Sequence, residues 1–239
     1  MNNLFSYATK ELSQNAILCW CINWLNYPGH PLYQLGKAVL DLFLGKEKLD
    51  EYQNVEVKQQ YEKIDILVLF SGKKNGCIND YALMIEDKTN TSEHSRQIER
   101  YKTVLAKDFP NRIGYSSYIK TGIMYDGDWL MTHNVNAVID LNKLLAVIQP
   151  FQGKCSSEIL DSFCVYLTEI KNERKLIEDD ILSGNYDKAL ESAYGQFYFL
   201  DTVFSGRTKG TIIGNVYSSS SKTVSQTNNP AVYIDIIYA

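Results

Sequence analysis

The sequence predicts an α/β fold of the α+β kind. Its core is a helix, three successive strands, a helix and a fourth strand, in a mixed central sheet with helices on its faces. Two observations carry this reading. The apolar repeat changes from helical spacing in the first 44 residues to short strand-length runs between residues 54 and 85. A helical stretch then separates the third apolar run from a fourth. The length, 239 residues and 27.3 kDa, with 45% hydrophobic residues, fits one large domain.

The elements follow in order. Residues 6–26 read as a helix, with Leu18, Ile22 and Leu25 at helical spacing and Pro28-Gly29-His30-Pro31 ending it. Tyr33 to Leu44 is a second helix, stopped near Gly45. Strands are expected at Asn54 to Tyr61, Ile64 to Phe70 and Tyr81 to Ile85, with Ser71 to Gly76 as a turn region. Ser92 to Lys107 reads as a helix broken by Pro110, and Ile113 to Thr121 as the next strand. Ala137 to Leu141 is a weaker strand candidate. Helices are expected again over Ser156 to Leu182 and Tyr186 to Phe204. The Gly- and Ser-rich end, with Val232 to Tyr238 as its last apolar run, reads as a late β-hairpin around an exposed loop. The whole chain, 1–239, reads as a single domain, with a core over about 4–121 and an extension over about 141–239.

A formal net charge of -4 and a pI near 5.5 speak against coating nucleic acid with a basic surface, but leave room for a local basic groove. No run of about 18 apolar residues occurs, so no membrane span is expected. The N-terminus lacks the basic and apolar regions of a secretory signal. Five cysteines without zinc-type spacing fit reduced thiols in the cytoplasm.

Three features carry chemistry. Asp65 interrupts the apolar run Ile64 to Phe70, on the same strand face as Leu67 and Leu69. A carboxylate there is costly to bury unless it is paired or bound to a metal. Glu86-Asp87-Lys88 closes the run Tyr81 to Ile85; Glu86 and Lys88 share a face and Asp87 takes the other. Gln97 and Tyr101, four apart, share one face of the next helix. Glu11, seven residues before Leu18, is a fourth member at the start of the first helix's stripe.

Plainer readings compete with each. Asp65, Glu86 and Lys88 could be a structural ion-pair cluster, and Gln97 and Tyr101 packing and capping residues. Glu11 could be an acid favoured by the helix dipole. His94 reads best as an exposed histidine. Arg96, Arg100 and Lys102 give their helix a basic character that suits either phosphate contacts or solvent. Glu-x-Lys also recurs at residues 56–58, 169–171 and 173–175, so the order of elements carries more than the motif.

With these residues in this order, the sequence resembles the PD-(D/E)XK nuclease superfamily, the restriction-endonuclease-like fold. The resemblance covers roughly Leu4 to Thr121. The opening Thr9-Lys10-Glu11-Leu12-Ser13-Gln14-Asn15-Ala16 is similar to bacterial members, and the Gln97/Tyr101 pair to the extra motif of the lambda-exonuclease and RecB-nuclease-like branch. Two departures stand out: Ile64 precedes Asp65 where proline is usual, and Asp87 fills a position often apolar. The resemblance implies a phosphodiesterase acting on nucleic acid, DNA above all. Asp65, Glu86, the backbone carbonyl of Asp87, and Glu11 would hold Mg²⁺ or Mn²⁺, a choice that fits hard oxygen ligands. Lys88 would orient the attacking water, and Gln97 and Tyr101 would hold Lys88 and the phosphate. The rival expectation is a catalytically silent module of the same fold that binds nucleic acid or a protein. The second half could extend the sheet, shape the substrate groove or form a homodimer surface.

Overall fold

A computed structural model describes residues 3–7, 11–89, 97–125, 128–129 and 132–204. Two compact units divide the chain, one from residues 1–124 and 131–169, the other from residues 125–130 and 170–239. The sheet and the candidate site belong to the first.

The helices of the first unit are α1 (Glu11–Asn23), α2 (Tyr33–Leu44), α3 (Gln97–Asp108) and α4 (Leu141–Ile148). The strands are β1 (Glu51–Tyr61), β2 (Ile64–Lys74), β3 (Cys77–Lys88), β4 (Ile113–Lys120) and β5 (Ala137–Asp140). They form one sheet in the order β1-β2-β3-β4-β5. The first two pairings are antiparallel, and β3/β4 and β4/β5 are parallel, which makes the sheet mixed as expected.

Two tight turns build the antiparallel half. Glu62 and Lys63 between β1 and β2, and Asn75 and Gly76 between β2 and β3, all have positive φ, the backbone that two-residue hairpins of matching twist require. The turn expected over Ser71 to Gly76 is therefore shorter than the sequence implies: β2 runs through Ser71 and Gly72 to Lys74. Gly72 is kept in the strand because Leu49 packs where its side chain would be. β1 begins earlier than expected, at Glu51, and crosses a bulge between Gln53 and Glu56 where Asn54 has φ 52°. β3 extends beyond Tyr81–Ile85 at both ends.

The α3 face of the sheet buries Leu67, Leu69, Ala82, Met84 and Tyr118 under Ile98, Tyr101 and Leu105. On the other face, Gln14 of α1 hydrogen-bonds Asp87, and Ser117 Oγ donates to the Phe43 carbonyl of α2. α1 and α2 approach closely at Gly36, where a Cβ would stand 2.8 Å from the Cys21 carbonyl oxygen.

α4 has no counterpart in the sequence reading. Asp140 caps it by accepting from Lys143 N–H at 2.8 Å, and Leu141, Leu144, Leu145 and Ile148 are buried. The expected helix over Ser156 to Leu182 is α5 (Glu158–Leu182), whose second half lies in the other unit. The stretch expected as one helix from Tyr186 is two, α6 (Tyr186–Ala189) and α7 (Ala193–Phe204); between them Ser192 Oγ accepts from Gly195 N–H at 2.9 Å and so caps α7, and Gly195 leaves room for the Ala189 carbonyl. Within that unit, Tyr194 Oη donates to Glu178 at 2.6 Å and its ring carries Arg174 at 5.0 Å. No helix among the described residues is long and apolar enough to cross a membrane. All five cysteines are free. The expected late β-hairpin lies outside the described residues, as do His94 and Arg96.

Candidate active site

Asp65 and Glu86 sit at the open end of the β2–β3 hairpin. The ladder pairs Ile66 with Ile85, so the next step brings Asp65 opposite Glu86. Both point to the α3 face, because strand side chains alternate and Leu67 and Met84 already lie there. Lys88, two residues on, joins them: its Nζ stands 3.6 Å from Asp65 Oδ2 and 2.5 Å from Glu86 Oε1. The three expected residues thus meet in one cluster, with Glu86 only 1% exposed and Lys88 7%.

The cluster is unevenly satisfied. Asp65 accepts from the Asp87 backbone N–H at 3.0 Å and from Gln60 Nε2 at 3.1 Å. Lys88 occupies Glu86 Oε1, while Glu86 Oε2, equally buried, has no hydrogen-bond partner. Burial first, and the Asp65 charge second, push the Glu86 carboxyl up to about 7, against the attraction of Lys88. Burial presses on the Lys88 ammonium in the opposite sense, but Glu86 and then Asp65 more than offset it, so its pKa is raised.

Gln97 and Tyr101 sit on the first turns of α3. Gln97 Nε2 donates to Tyr101 Oη at 3.4 Å. Tyr101 is 5% exposed, and burial, then the Glu86 charge, raise its phenol pKa, so it remains neutral beside the acids. Glu11, the first residue of α1, accepts from Thr89 N–H at 3.3 Å, which ties the helix start to the residue after Lys88.

Asp87 faces away from this cluster. Its side chain is fully buried on the α1 side, where Gln14 Nε2 donates to Oδ1 and Thr121 Oγ1 donates to Gln14 Oε1 at 2.7 Å. Its other oxygen has no hydrogen-bond partner. Burial above all drives its carboxyl well up, with the Gln14 bond opposing and Asp65 and Glu11 adding. The Asp87 backbone remains part of the site through its N–H to Asp65.

Three participants were given no role by the sequence reading. Gln14 and Thr121 hold Asp87 from 73 and 34 positions away, a separation no local pattern reveals. Lys120 pairs with Lys88 across β3/β4 and with Asp140 across β4/β5, and is fully buried. Its signal was available: it is a lysine two positions after the buried Tyr118, on the same strand face.

The donor set suits a hard divalent cation. Magnesium is commonly held by one or two carboxylates plus water and substrate phosphate. Here two carboxylates adjoin, and Glu86 keeps one buried oxygen without a partner. No group of three or more His, Cys, Asp or Glu side chains is placed to hold a metal among the described residues.

Compared with known proteins, the chain matches no family model and no curated sequence. Among solved structures it is similar to "DNA modification-dependent restriction endonuclease AspBHI", at 8% identity and a TM-score of 0.34. That alignment covers 65% of this chain, and the chain spans 40% of the length of that endonuclease.

Proposed function

We propose that this protein is a metal-dependent nuclease that hydrolyses phosphodiester bonds in DNA. The carrying observation is the Asp65–Glu86–Lys88 cluster, in which one ammonium serves two carboxylates and the buried Glu86 Oε2 has no hydrogen-bond partner. A structural ion-pair cluster would be expected to satisfy its buried oxygens.

In this reading Asp65, Glu86 and the Asp87 carbonyl hold Mg²⁺ or Mn²⁺, with Glu11 at the edge of the site. The bound ion would polarise the phosphoryl oxygen and lower the pKa of its water. Lys88, charged at neutral pH, orients the attacking water and faces the negative charge that builds on the phosphate. Tyr101, a neutral phenol, donates to a phosphate oxygen while Gln97 fixes its direction. The Asp87 N–H keeps Asp65 turned toward the site. The free thiols fit a cytoplasmic setting.

The test is cleavage of linear, circular and single-stranded DNA with Mg²⁺, Mn²⁺ or EDTA. Cleavage by wild type with metal, and its loss in Asp65→Ala and Lys88→Ala, is the expected result. Equal activity in all three proteins would overturn the site. No cleavage together with no metal binding by calorimetry would favour the silent binding module.

A further inference from the structure

A second concavity lies on the same helix as Gln97 and Tyr101, further along its length. It measures about 480 Å³, within the roughly 300–1,000 Å³ of small-ligand sites. Leu105 and Ala106 of α3, with Phe109 just past its end, form one wall, and Ala82, Gly114 and Ser116 of the sheet the other. Two cations line it: Lys102, whose Nζ pairs with exposed Glu99 at 3.0 Å and donates to the Asn134 carbonyl at 2.9 Å, and Arg112, whose Nη1 donates to the Tyr81 carbonyl at 3.1 Å and leaves its other guanidinium donors for a phosphate.

The floor is an interrupted sheet edge. β5 pairs with β4 only over Ser117–Lys120. One step earlier, Asn136 stands in for a strand: its Oδ1 accepts from Ser116 N–H at 2.9 Å and its N–H donates to the Ser116 carbonyl at 2.7 Å. Backbone groups of a strand alternate in direction with a period of two. The N–H and C=O of Gly114 therefore point to the same side as those of Ser116, the pocket side, with no strand beside them among the described residues. Gly114 also leaves the space above it open, since a Cβ there would meet nothing nearer than Leu105 Cδ1 at 4.0 Å.

We propose that this pocket is a nucleobase-binding site that takes a base flanking the scissile phosphate. The ring lies flat against Leu105 and Phe109. Its hydrogen-bonding edge meets the adjacent donor and acceptor of Gly114, and its phosphate turns to Lys102 and Arg112. Along α3 the pocket begins at Lys102, next to Tyr101, and Leu105 lies about 6 Å on; along β3, Ala82 stands four residues, about 13 Å, before Glu86, so the pocket flanks the cleavage site. The choice of a base over an extended peptide rests on the nuclease reading, and on the edge itself: among the described residues only Ile113 to Tyr115 lack a neighbour on the β5 side, too few for strand addition.

The test titrates the four 2′-deoxynucleoside 5′-monophosphates into isotope-labelled full-length protein in EDTA, following the amide signals of Lys102, Gly114 and Asn136. Saturable shifts with at least one nucleotide are expected. Gly114→Val, which fills the pocket without a backbone penalty, should weaken binding about tenfold. Lys102→Ala should weaken the nucleotide and leave the phosphate-free nucleoside unchanged. The proposal is overturned if no nucleotide shifts these signals at millimolar concentration, if binding survives both pocket variants, or if an extended peptide shifts them and nucleotides do not. Because the assay contains no metal, nucleotide binding without any cleavage would overturn the nuclease reading and leave the pocket standing, and cleavage without nucleotide binding would do the reverse.

Discussion

Replacing Glu86 by glutamine should make the metal-free protein more stable and the enzyme inactive. The Glu86 carboxyl rises from an ordinary 4.5 to about 7, with burial the leading cause. A carboxyl raised on folding stabilises the folded state fully below its unfolded pKa, and that contribution is lost as pH climbs to the folded value. The window is therefore pH 4.5 to about 7. At about 1.4 kcal/mol per pH unit, the loss is about 3 kcal/mol by pH 8. The attraction of Lys88 is already inside that figure. Glutamine keeps the shape and cannot ionise. Urea unfolding in EDTA should find Glu86→Gln close to wild type at pH 5 and about 3 kcal/mol more stable at pH 8. Saturating Mg²⁺ should then stabilise wild type alone. If the variant is no more stable than wild type at pH 8 in EDTA, the carboxylate is not held at a cost and the reasoning fails.

Other outcomes follow from the same geometry. Metal affinity should rise with pH up to about 7 and then level, because Glu86 must lose its proton to bind; calorimetry at pH 6 and 8 giving equal affinities would contradict this. Gln14→Leu removes the one donor to the buried Asp87 and should cost about 1–3 kcal/mol in urea unfolding. Tyr101→Phe should change stability by less than about 1 kcal/mol yet slow cleavage at least about tenfold, so unchanged kcat would remove Tyr101 from the site. Gly36→Ala should lower the melting temperature, since its Cβ meets the Cys21 carbonyl oxygen at 2.8 Å and α1 must shift with the residues it carries.

Asp65, Glu86 and Lys88 were legible because charge inside an apolar strand run stands out; strand alternation pairs Glu86 with Lys88, and the β2/β3 register brings Asp65 to them. Gln97 and Tyr101 were legible from helical spacing. The elements missed share a cause in tertiary packing. Ser71 and Gly72 look like breakers, yet Gly72 is in a strand because Leu49 needs the room. The Thr121–Gln14–Asp87 chain of hydrogen bonds joins β4's end, α1 and β3, and no window of sequence contains all three. α4 was legible in principle from Leu141, Leu144, Leu145 and Ile148, but a four-residue strand running directly into it blurs the period.

The Asn75–Gly76 turn has a further consequence. Ten residues separate Asp65 from Asn75, and ten separate Gly76 from Glu86, so the hairpin folds its two acids onto each other across about 34 Å of strand. Their meeting depends on one local turn and not on any helix. Hairpins close in microseconds, ahead of long-range docking. During folding, the two negative charges therefore come together before α1 or α3 covers them, while water still screens their repulsion. Their burial, and the rise in the Glu86 pKa that it brings, belongs to the later step in which the helices close over the hairpin.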